Sequence, residues 1–175
     1  RLPINSVLID EADAKDCLST FGLVVPKRKT ARAGAEVLDA CSDIGFPAVL
    51  KVRWLAHKSE SDAVKLGLMS LEEVDKAAKK MNVDHFLLEE MVTDGICELL
   101  IGVTRDRAHG FVLTIAAGGV LTELLNDQCS LMLPVNQDAV IQALDRLKTA
   151  SLLQGYRGNP GADYPSIIRA VMALQ

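Results

Sequence analysis

The stretch FPAVLKV at residues 46–52 decides the fold of this chain, because its continuous apolar run predicts a strand that is buried on both faces. Lys51 lies inside this run, where an unpaired charge is costly to bury. We expect either that Lys51 lies at the end or edge of the strand and reaches solvent, or that it binds a phosphate. The loop AHKSESD follows and places His57 beside Lys58. A solvated turn and an imidazole nucleophile that attacks phosphorus both fit this loop.

The composition of the chain predicts a globular protein with a substantial core. Of its 175 residues, 49% are hydrophobic and 24% are charged, and the net charge is -4. This charge disfavours nucleic acid and anionic membrane surfaces as partners. No apolar run approaches the about 20 residues that span a bilayer, and no signal peptide is visible, so we expect a cytoplasmic protein. The four cysteines are far apart and lack zinc-ligand spacing, which predicts reduced thiols.

The periodicity of apolar residues predicts two mixed α/β lobes. Helices are predicted over residues 8–23, 31–44, 71–81, 137–147 and 164–174, and strands over residues 23–26, 48–52, 63–69, 85–92, 97–106, 110–120 and 129–135. Ser70 and Glu73 form a capping box for the third helix. Helices and strands alternate in the first half, whereas hairpin strands precede helices in the second. This order favours two lobes over one doubly wound sheet, with a cleft between the lobes as the natural ligand site.

Two further segments carry candidate ligand groups. The segment AAGGVLTELLND places Gly118 and Gly119 before Glu123 and Asp127. The glycines fit either a tight bend or a close backbone approach to phosphate, and the two acids offer oxygen ligands for Mg²⁺. In the segment LLEEMV, only one of the two adjacent glutamates can face a given cleft, because neighbours on a strand point to opposite sides. Exposed surface acids are the alternative for this segment.

Six motifs, taken in their order, resemble the ATP-grasp domain of NDP-forming acyl-CoA synthetases, the ADP-forming acetate-CoA ligase family. That family is related to the β subunit of succinyl-CoA synthetase. The motifs read GFPAVLK, AHKSESDAV, LLEEMV, ELLIGVTRD, AAGGVLTELLND and LLQGYRGNP. The resemblance extends over about residues 12–174. The resemblance implies an ATP-grasp fold, with two α+β lobes and a nucleotide cleft between them. We place the lobes at residues 1–84 and 85–175.

The resemblance also implies a role for each candidate residue. His57 is the expected acceptor of the phosphoryl group, Lys51 is expected to contact the nucleotide phosphates, and Glu98 is expected to reach the ribose. Residues 90–92 are expected along the adenine edge. The implied cofactors are ATP or ADP and Mg²⁺. The nucleotide-binding residues are Lys51, Lys58, Glu90, Met91, Val92, Glu98, Gly118 and Gly119, and the metal ligands are Glu123 and Asp127.

The function implied by the resemblance is that of the ATP-binding, phosphoryl-transfer domain of an acid-thiol ligase. Such an enzyme converts an acid, CoA and ATP to acyl-CoA, ADP and phosphate through phosphohistidine, and its CoA-binding and ligase domains are the implied partners. Asp62 stands where the family usually has glycine, and the chain stops at Gln175 before strands that commonly supply metal ligands. We therefore expect a fragment that is inactive alone. The alternatives are an impaired nucleotide-sensing module and a partner-docking subunit that binds no nucleotide.

Overall fold

The computed structural model describes residues 7–53, 63–119 and 125–175. Contacts between residues divide the chain into two compact units, Arg1–Thr93 and Asp94–Gln175. Each unit combines helices with a sheet, and all strand pairs given for the described residues are antiparallel. The predicted mixed α+β class is therefore confirmed.

The first unit is built on a four-stranded sheet whose strands lie in the order β1-β4-β2-β3. Its elements are α1 (Glu11–Thr20), β1 (Arg28–Arg32), α2 (Ala35–Ile44), β2 (Ala48–Val52), β3 (Val64–Leu68), α3 (Leu71–Met81) and β4 (His85–Glu90). The hydrophobic core joins Leu50 and Leu88 of the sheet to Val37 of α2 and Val74 of α3. Because side chains alternate along a strand, the residues between these core positions lie on the opposite face, which α1 contacts.

The strand β4 fixes where the first unit ends. It pairs in register with both neighbours, placing Glu89 opposite Arg28 of β1 and Leu88 opposite Leu50 of β2. The boundary predicted between residues 84 and 85 therefore differs from the observed division, which falls after Thr93. The sequence motif LLEEMV was assigned to the second lobe, but its strand is central to the first sheet.

The second unit contains a three-stranded sheet in the order β5-β6-β7, with helices packed against it. Its elements are β5 (Leu99–Asp106), β6 (Gly110–Ala117), β7 (Gln128–Met132), α4 (Gln137–Asp145), α5 (Ala150–Leu153) and α6 (Tyr164–Met172). The predicted hairpin is confirmed: Asp106 pairs with Gly110, and its carboxylate accepts hydrogen bonds from the backbone N–H groups of Ala108 and His109. Ile115, Val140 and other buried apolar residues form a second core.

Two of the predicted elements are corrected. The strand predicted at residues 23–26 is wrong: Val24 is fully exposed, and the strand that joins the sheet is β1. The second helix begins at Ala35 rather than Ala31, because Ala31 pairs with Phe86 of β4. The helix after Ser70 is confirmed, and the Ser70 hydroxyl accepts the Glu73 N–H at 3.2 Å.

Two other expectations concern the whole chain. All four cysteines are free thiols, as their spacing predicts. Within the three described ranges, no helix combines the length and the apolar character that crossing a membrane requires.

Candidate functional site

Four charged side chains of the first unit meet on the sheet face opposite its hydrophobic core. The Lys51 Nζ donates to Glu11 Oε1 at 2.5 Å and lies 2.7 Å from Glu89 Oε2. The Lys15 Nζ donates to the same Glu11 oxygen at 2.9 Å and to Glu89 Oε1 at 2.5 Å. We call these four residues the charge quartet. Each ammonium contacts both carboxylates, and the four formal charges sum to zero.

Local structure explains why these four side chains meet. Glu11 and Lys15 are one helical turn apart on α1, so they share one face of the helix. On the sheet, Lys51 pairs with Leu87, the residue two before Glu89 in β4. Diagonal neighbours of this kind lie on the same face and within reach of long side chains. The quartet therefore depends on the register of β2 against β4 and on the placement of α1.

The quartet holds Glu11 and Lys51 in their charged forms. Burial alone would raise the pKa of the Glu11 carboxyl, but hydrogen bonds from Lys51 and Lys15 outweigh it and lower that pKa from 4.5 to about 2. Burial alone would lower the pKa of the Lys51 ammonium, but its contacts with Glu11 and Glu89 raise it instead. Lys51 is therefore fully protonated at neutral pH, as a ligand for an anion must be.

Two ion pairs flank the quartet and extend it along α1. At the beginning of the helix, the Arg53 Nη2 lies 2.9 Å from Asp10 Oδ1, and the same carboxylate caps α1 by accepting the Ala12 N–H at 3.0 Å. Further along the helix, Asp16 pairs with Arg28 of β1. Ala12 is the buried residue of this helix. Charged contacts, rather than an apolar stripe, therefore hold α1 against the sheet.

The position of Lys51 resolves one of the alternatives drawn from the sequence. The expectation that Lys51 lies on an edge strand is wrong, because β2 lies between β4 and β3 in the sheet. Lys51 is, however, the fourth of the five residues of β2, so it does lie near the end of its strand. The Lys51 side chain is 18% exposed, and the anions that meet its charge in this structure are Glu11 and Glu89. Contact between Lys51 and a phosphate stays a prediction.

The last two residues of β4 are glutamates, and the strand directs them differently. Glu89 is 3% exposed and belongs to the quartet. Glu90 instead accepts the Lys27 N–H at 2.8 Å through Oε1, and its own N–H donates to the Lys27 carbonyl at 3.0 Å. The Met91 N–H donates to the Pro47 carbonyl, and Val92 is exposed. Alternation selects Glu89, not Glu90, to face Lys51, and the roles of residues 90–92 at adenine stay predictions.

In the second unit, Gly118 and Gly119 lie against Glu98. The Gly118 N–H donates to the Glu98 carbonyl at 2.7 Å, and a Cβ on Gly118 would lie 3.0 Å from the backbone carbon of Glu98. Gly119 has a φ of +76°, and a Cβ there would lie 3.0 Å from Glu98 Oε2. Close approach to the Glu98 backbone therefore favours glycine at position 118, and the positive φ favours glycine at position 119. Their contact with a phosphate, and that of Glu98 with a ribose, stay predictions.

Asp127 lies near these glycines, because its carbonyl accepts the Ala117 N–H at 2.9 Å. Its carboxylate is buried and accepts three hydrogen bonds: from the Lys148 N–H at 2.7 Å, the Thr149 N–H at 2.9 Å and the Thr149 hydroxyl at 3.0 Å. Burial alone would raise the pKa of this carboxyl, but these hydrogen bonds lower it. The observed contacts of Asp127 tie together two segments of the second unit. Its role as a metal ligand stays a prediction.

Four residues named from the sequence, His57, Lys58, Asp62 and Glu123, lie outside the described residues. Among the residues that the structure does describe, no three His, Cys, Asp or Glu side chains converge as a metal site. Sequence reasoning missed Glu11 and Glu89 as partners of Lys51, and Lys15 as the second cation of the quartet. The available signals were the Glu11–Lys15 spacing of one helical turn and the alternation along LLEEMV.

Comparisons with known proteins give the same family over nearly the whole chain. A family profile described as an ATP-grasp domain matches residues 4–175. The 4-hydroxybutyrate–CoA ligase (ADP-forming) of Nitrosopumilus maritimus is 32% identical over 94% of this chain and 25% of its own length. The β subunit of acetate–CoA ligase (ADP-forming) II from Pyrococcus furiosus is 30% identical over 94% of this chain and 75% of its own length. The chain thus spans about a quarter of the first of these relatives.

A solved structure matches at the level of the fold and the sequence. It is the dinucleotide forming acetyl-coenzyme A synthetase 1 of Ca. Korarchaeum cryptofilum in complex with coenzyme A and Ca-AMPCP. The match has a TM-score of 0.83 and 31% sequence identity. It covers 94% of this chain and 77% of the matched chain. Another structure of that synthetase holds coenzyme A and Mg-AMPPCP, with a phosphohistidine segment pointing towards the nucleotide binding site.

Proposed function

The chain belongs to the ATP-grasp domain family, and from this premise we propose that it is the nucleotide-binding, phosphoryl-transfer part of an ADP-forming acyl-CoA ligase. In the complete reaction an acid, CoA and ATP give acyl-CoA, ADP and phosphate. We propose that CoA-binding and ligase domains, in the same polypeptide or in a partner subunit, supply the remaining steps. The relatives occur both as long single chains and as separate β subunits, which supports either arrangement.

The observation that carries this proposal is the charged ammonium of Lys51 on an interior strand. Its side chain reaches the sheet face opposite the hydrophobic core and is partly exposed. A phosphate oxygen is an acceptor of the same kind as the carboxylates that Lys51 contacts in this structure. Lys51 can therefore bind a nucleotide phosphate by exchanging one charged acceptor for another.

Magnesium would neutralise phosphate charge when it is bound with the nucleotide. Protein sites for this ion commonly use one or two carboxylates together with the phosphates, so a complete cage of protein ligands is not required. We keep Glu123 and Asp127 as the proposed carboxylates. The engaged oxygens of Asp127 make that residue the one to test first, and no step of the proposed function depends on it.

Calorimetric titration with Mg-ADP tests the role of Lys51. The substitution Lys51→Met removes one charged hydrogen bond to phosphate, and we expect the affinity to fall by about 10- to 100-fold. Lys79→Met is the matched control, because Lys79 is an exposed lysine that pairs with Asp75 one helical turn away. Unchanged affinity in a folded Lys51→Met protein, as judged by circular dichroism, would contradict the proposed function.

Labelling with Mg-ATP carrying a labelled terminal phosphate tests the role of His57. We propose that its neutral imidazole attacks the terminal phosphorus, so that ADP leaves and an acid-labile, base-stable phosphohistidine forms. His57→Ala should abolish the labelled protein, whereas His109→Ala should not, because His109 lies in the β5–β6 turn. Label that persists in His57→Ala would assign the acceptor to another residue. Nucleotide binding without ADP–ATP label exchange would instead support the nucleotide-sensing alternative.

A further inference from the structure

We propose that Lys15 is a positioning residue for Lys51, and that α1 thereby sets how readily Lys51 binds a nucleotide phosphate. This inference rests on the proposed function, because it concerns the same lysine. It adds a role for a helix to which neither the sequence motifs nor the comparisons assign a function. The ligand class is a nucleoside di- or triphosphate with its metal ion.

The geometry of the quartet shows that Lys15 and Lys51 share the same two anions. Oε1 of Glu89 contacts the Lys15 ammonium, and Oε2 of Glu89 contacts the Lys51 ammonium. Oε1 of Glu11 contacts both ammonium groups. Glu89 is buried, so its charge has little access to water. Its charge is therefore balanced by the two ammonium groups together.

When the Lys51 ammonium moves to a phosphate, the negative charges of Glu11 and Glu89 must be balanced by the cation that remains beside them. A buried carboxylate that loses every cation is strongly unfavourable. Lys15 stays on Glu89 and Glu11 in this arrangement, so Lys51 can leave without stranding a buried charge. The four-carbon stem of Lys51 allows such a movement, because an ammonium group makes no fixed, planar pairing with its acceptors.

Removal of either α1 side chain should therefore change nucleotide affinity in a predictable direction. Without Lys15, Glu89 has Lys51 as its remaining quartet cation, so the phosphate must compete with a stronger contact. Without the charge of Glu11, Lys51 is held by one carboxylate instead of two. The phosphate then competes with a weaker set of contacts to the Lys51 ammonium. If α1 had a purely structural role, the two substitutions would not change the nucleotide affinity in opposite directions.

The test measures the affinity of the protein for Mg-ADP by calorimetry. We expect Lys15→Met to weaken binding by about tenfold and Glu11→Gln to strengthen it by about threefold. Lys15→Arg retains the cation and should restore most of the affinity. Lys79→Met again serves as the control, because it removes a lysine from an exposed pair of the same helical spacing. Weaker binding in both Lys15→Met and Glu11→Gln would overturn the inference.

A double-mutant cycle separates this inference from the proposed function. If Lys15 acts through Lys51, Lys15→Met should change the affinity of a Lys51→Met protein by less than about twofold. If the two effects instead multiply, Lys15 acts by another route and the inference fails while the proposed function stands. If Lys51→Met by itself leaves binding unchanged, the proposed function fails first.

Discussion

Replacing Asp127 with asparagine separates a structural role of this residue from a metal-binding one. Asparagine has almost the same shape, but it has one acceptor oxygen and places an NH₂ group where the second oxygen was. In the structure, Oδ1 faces the Lys148 N–H, and Oδ2 faces the N–H and hydroxyl of Thr149. Either orientation of the amide therefore sets a donor against a donor.

The expected loss of stability follows from these three contacts. The better orientation keeps the amide oxygen on Thr149 and loses the bond from the Lys148 N–H, which is the shortest of the three at 2.7 Å. A hydrogen bond to a charged group contributes about 1.5–3 kcal/mol, and the retained bonds also weaken when the charge is removed. We expect Asp127→Asn to lower the free energy of unfolding by about 3 kcal/mol.

Urea unfolding followed by circular dichroism provides the measurement, with Mg²⁺ present in one series and EDTA in the other. Asp138→Asn is the matched control, because Asp138 is an exposed acid in the first turn of α4 and should change stability by less than about 0.5 kcal/mol. The structural role predicts the same loss in both series. If Asp127→Asn is as stable as the wild type in EDTA and fails only to gain stability from Mg²⁺, the structural role is refuted and the metal role is supported.

Two further predictions concern backbone geometry and pH. Gly155→Ala should lower the free energy of unfolding by about 3 kcal/mol, because φ is +98° and the new Cβ would lie 3.0 Å from the Asn159 carbonyl oxygen. Gly158→Ala has a similar φ of +86° but open space, so urea titration should show a loss of only about 1 kcal/mol, and equal losses would contradict this. The pKa of Glu11 is lowered from 4.5 to about 2, so its contribution to stability is present above pH 4.5 and is lost as the pH falls towards 2. Glu11→Gln should flatten the dependence of stability on pH in that window, and a dependence identical to that of the wild type would contradict this reasoning.

Elements with a strong local signal were predictable from the sequence, and elements that depend on distant partners were not. The helix after Ser70 has both a capping residue and an apolar stripe, and its bounds agree with the prediction. The strand β1 reads RKTAR, and Ala31 is the one residue of it that is buried. An edge strand of this kind has no apolar alternation, whereas the neighbouring run at residues 23–26 is apolar and predicts a strand that the structure does not form there. The register against β4 supplies the information that the local sequence lacks.

The candidate site shows the same limit. The cost of burying a charge indicates that Lys51 needs either solvent or an anion, but it does not identify that anion. Glu11 and Glu89 are far from Lys51 along the chain and reach it only through the position of α1 and the pairing of β2 with β4. The helical period in residues 8–23 was inferred from apolar positions, whereas α1 contacts the sheet through charged side chains. Hydrophobic periodicity cannot predict a surface of that kind.

Among the described residues, two acids are buried, Glu89 in the first unit and Asp127 in the second. Their charges are balanced by donors that differ in mobility, and this difference bears on which of the two residues can respond to a ligand. Asp127 is held by two backbone N–H groups and a short hydroxyl side chain, which cannot leave it unless the segment at residues 148–149 moves. Glu89 is held by two lysine ammonium groups, each on a flexible stem. A phosphate can therefore take a donor from Glu89 through a side-chain movement alone, whereas a metal ion at Asp127 must displace backbone contacts. This asymmetry favours the charge quartet of the first unit as a group that can respond to a ligand, and it favours Asp127 of the second unit as a fixed structural contact.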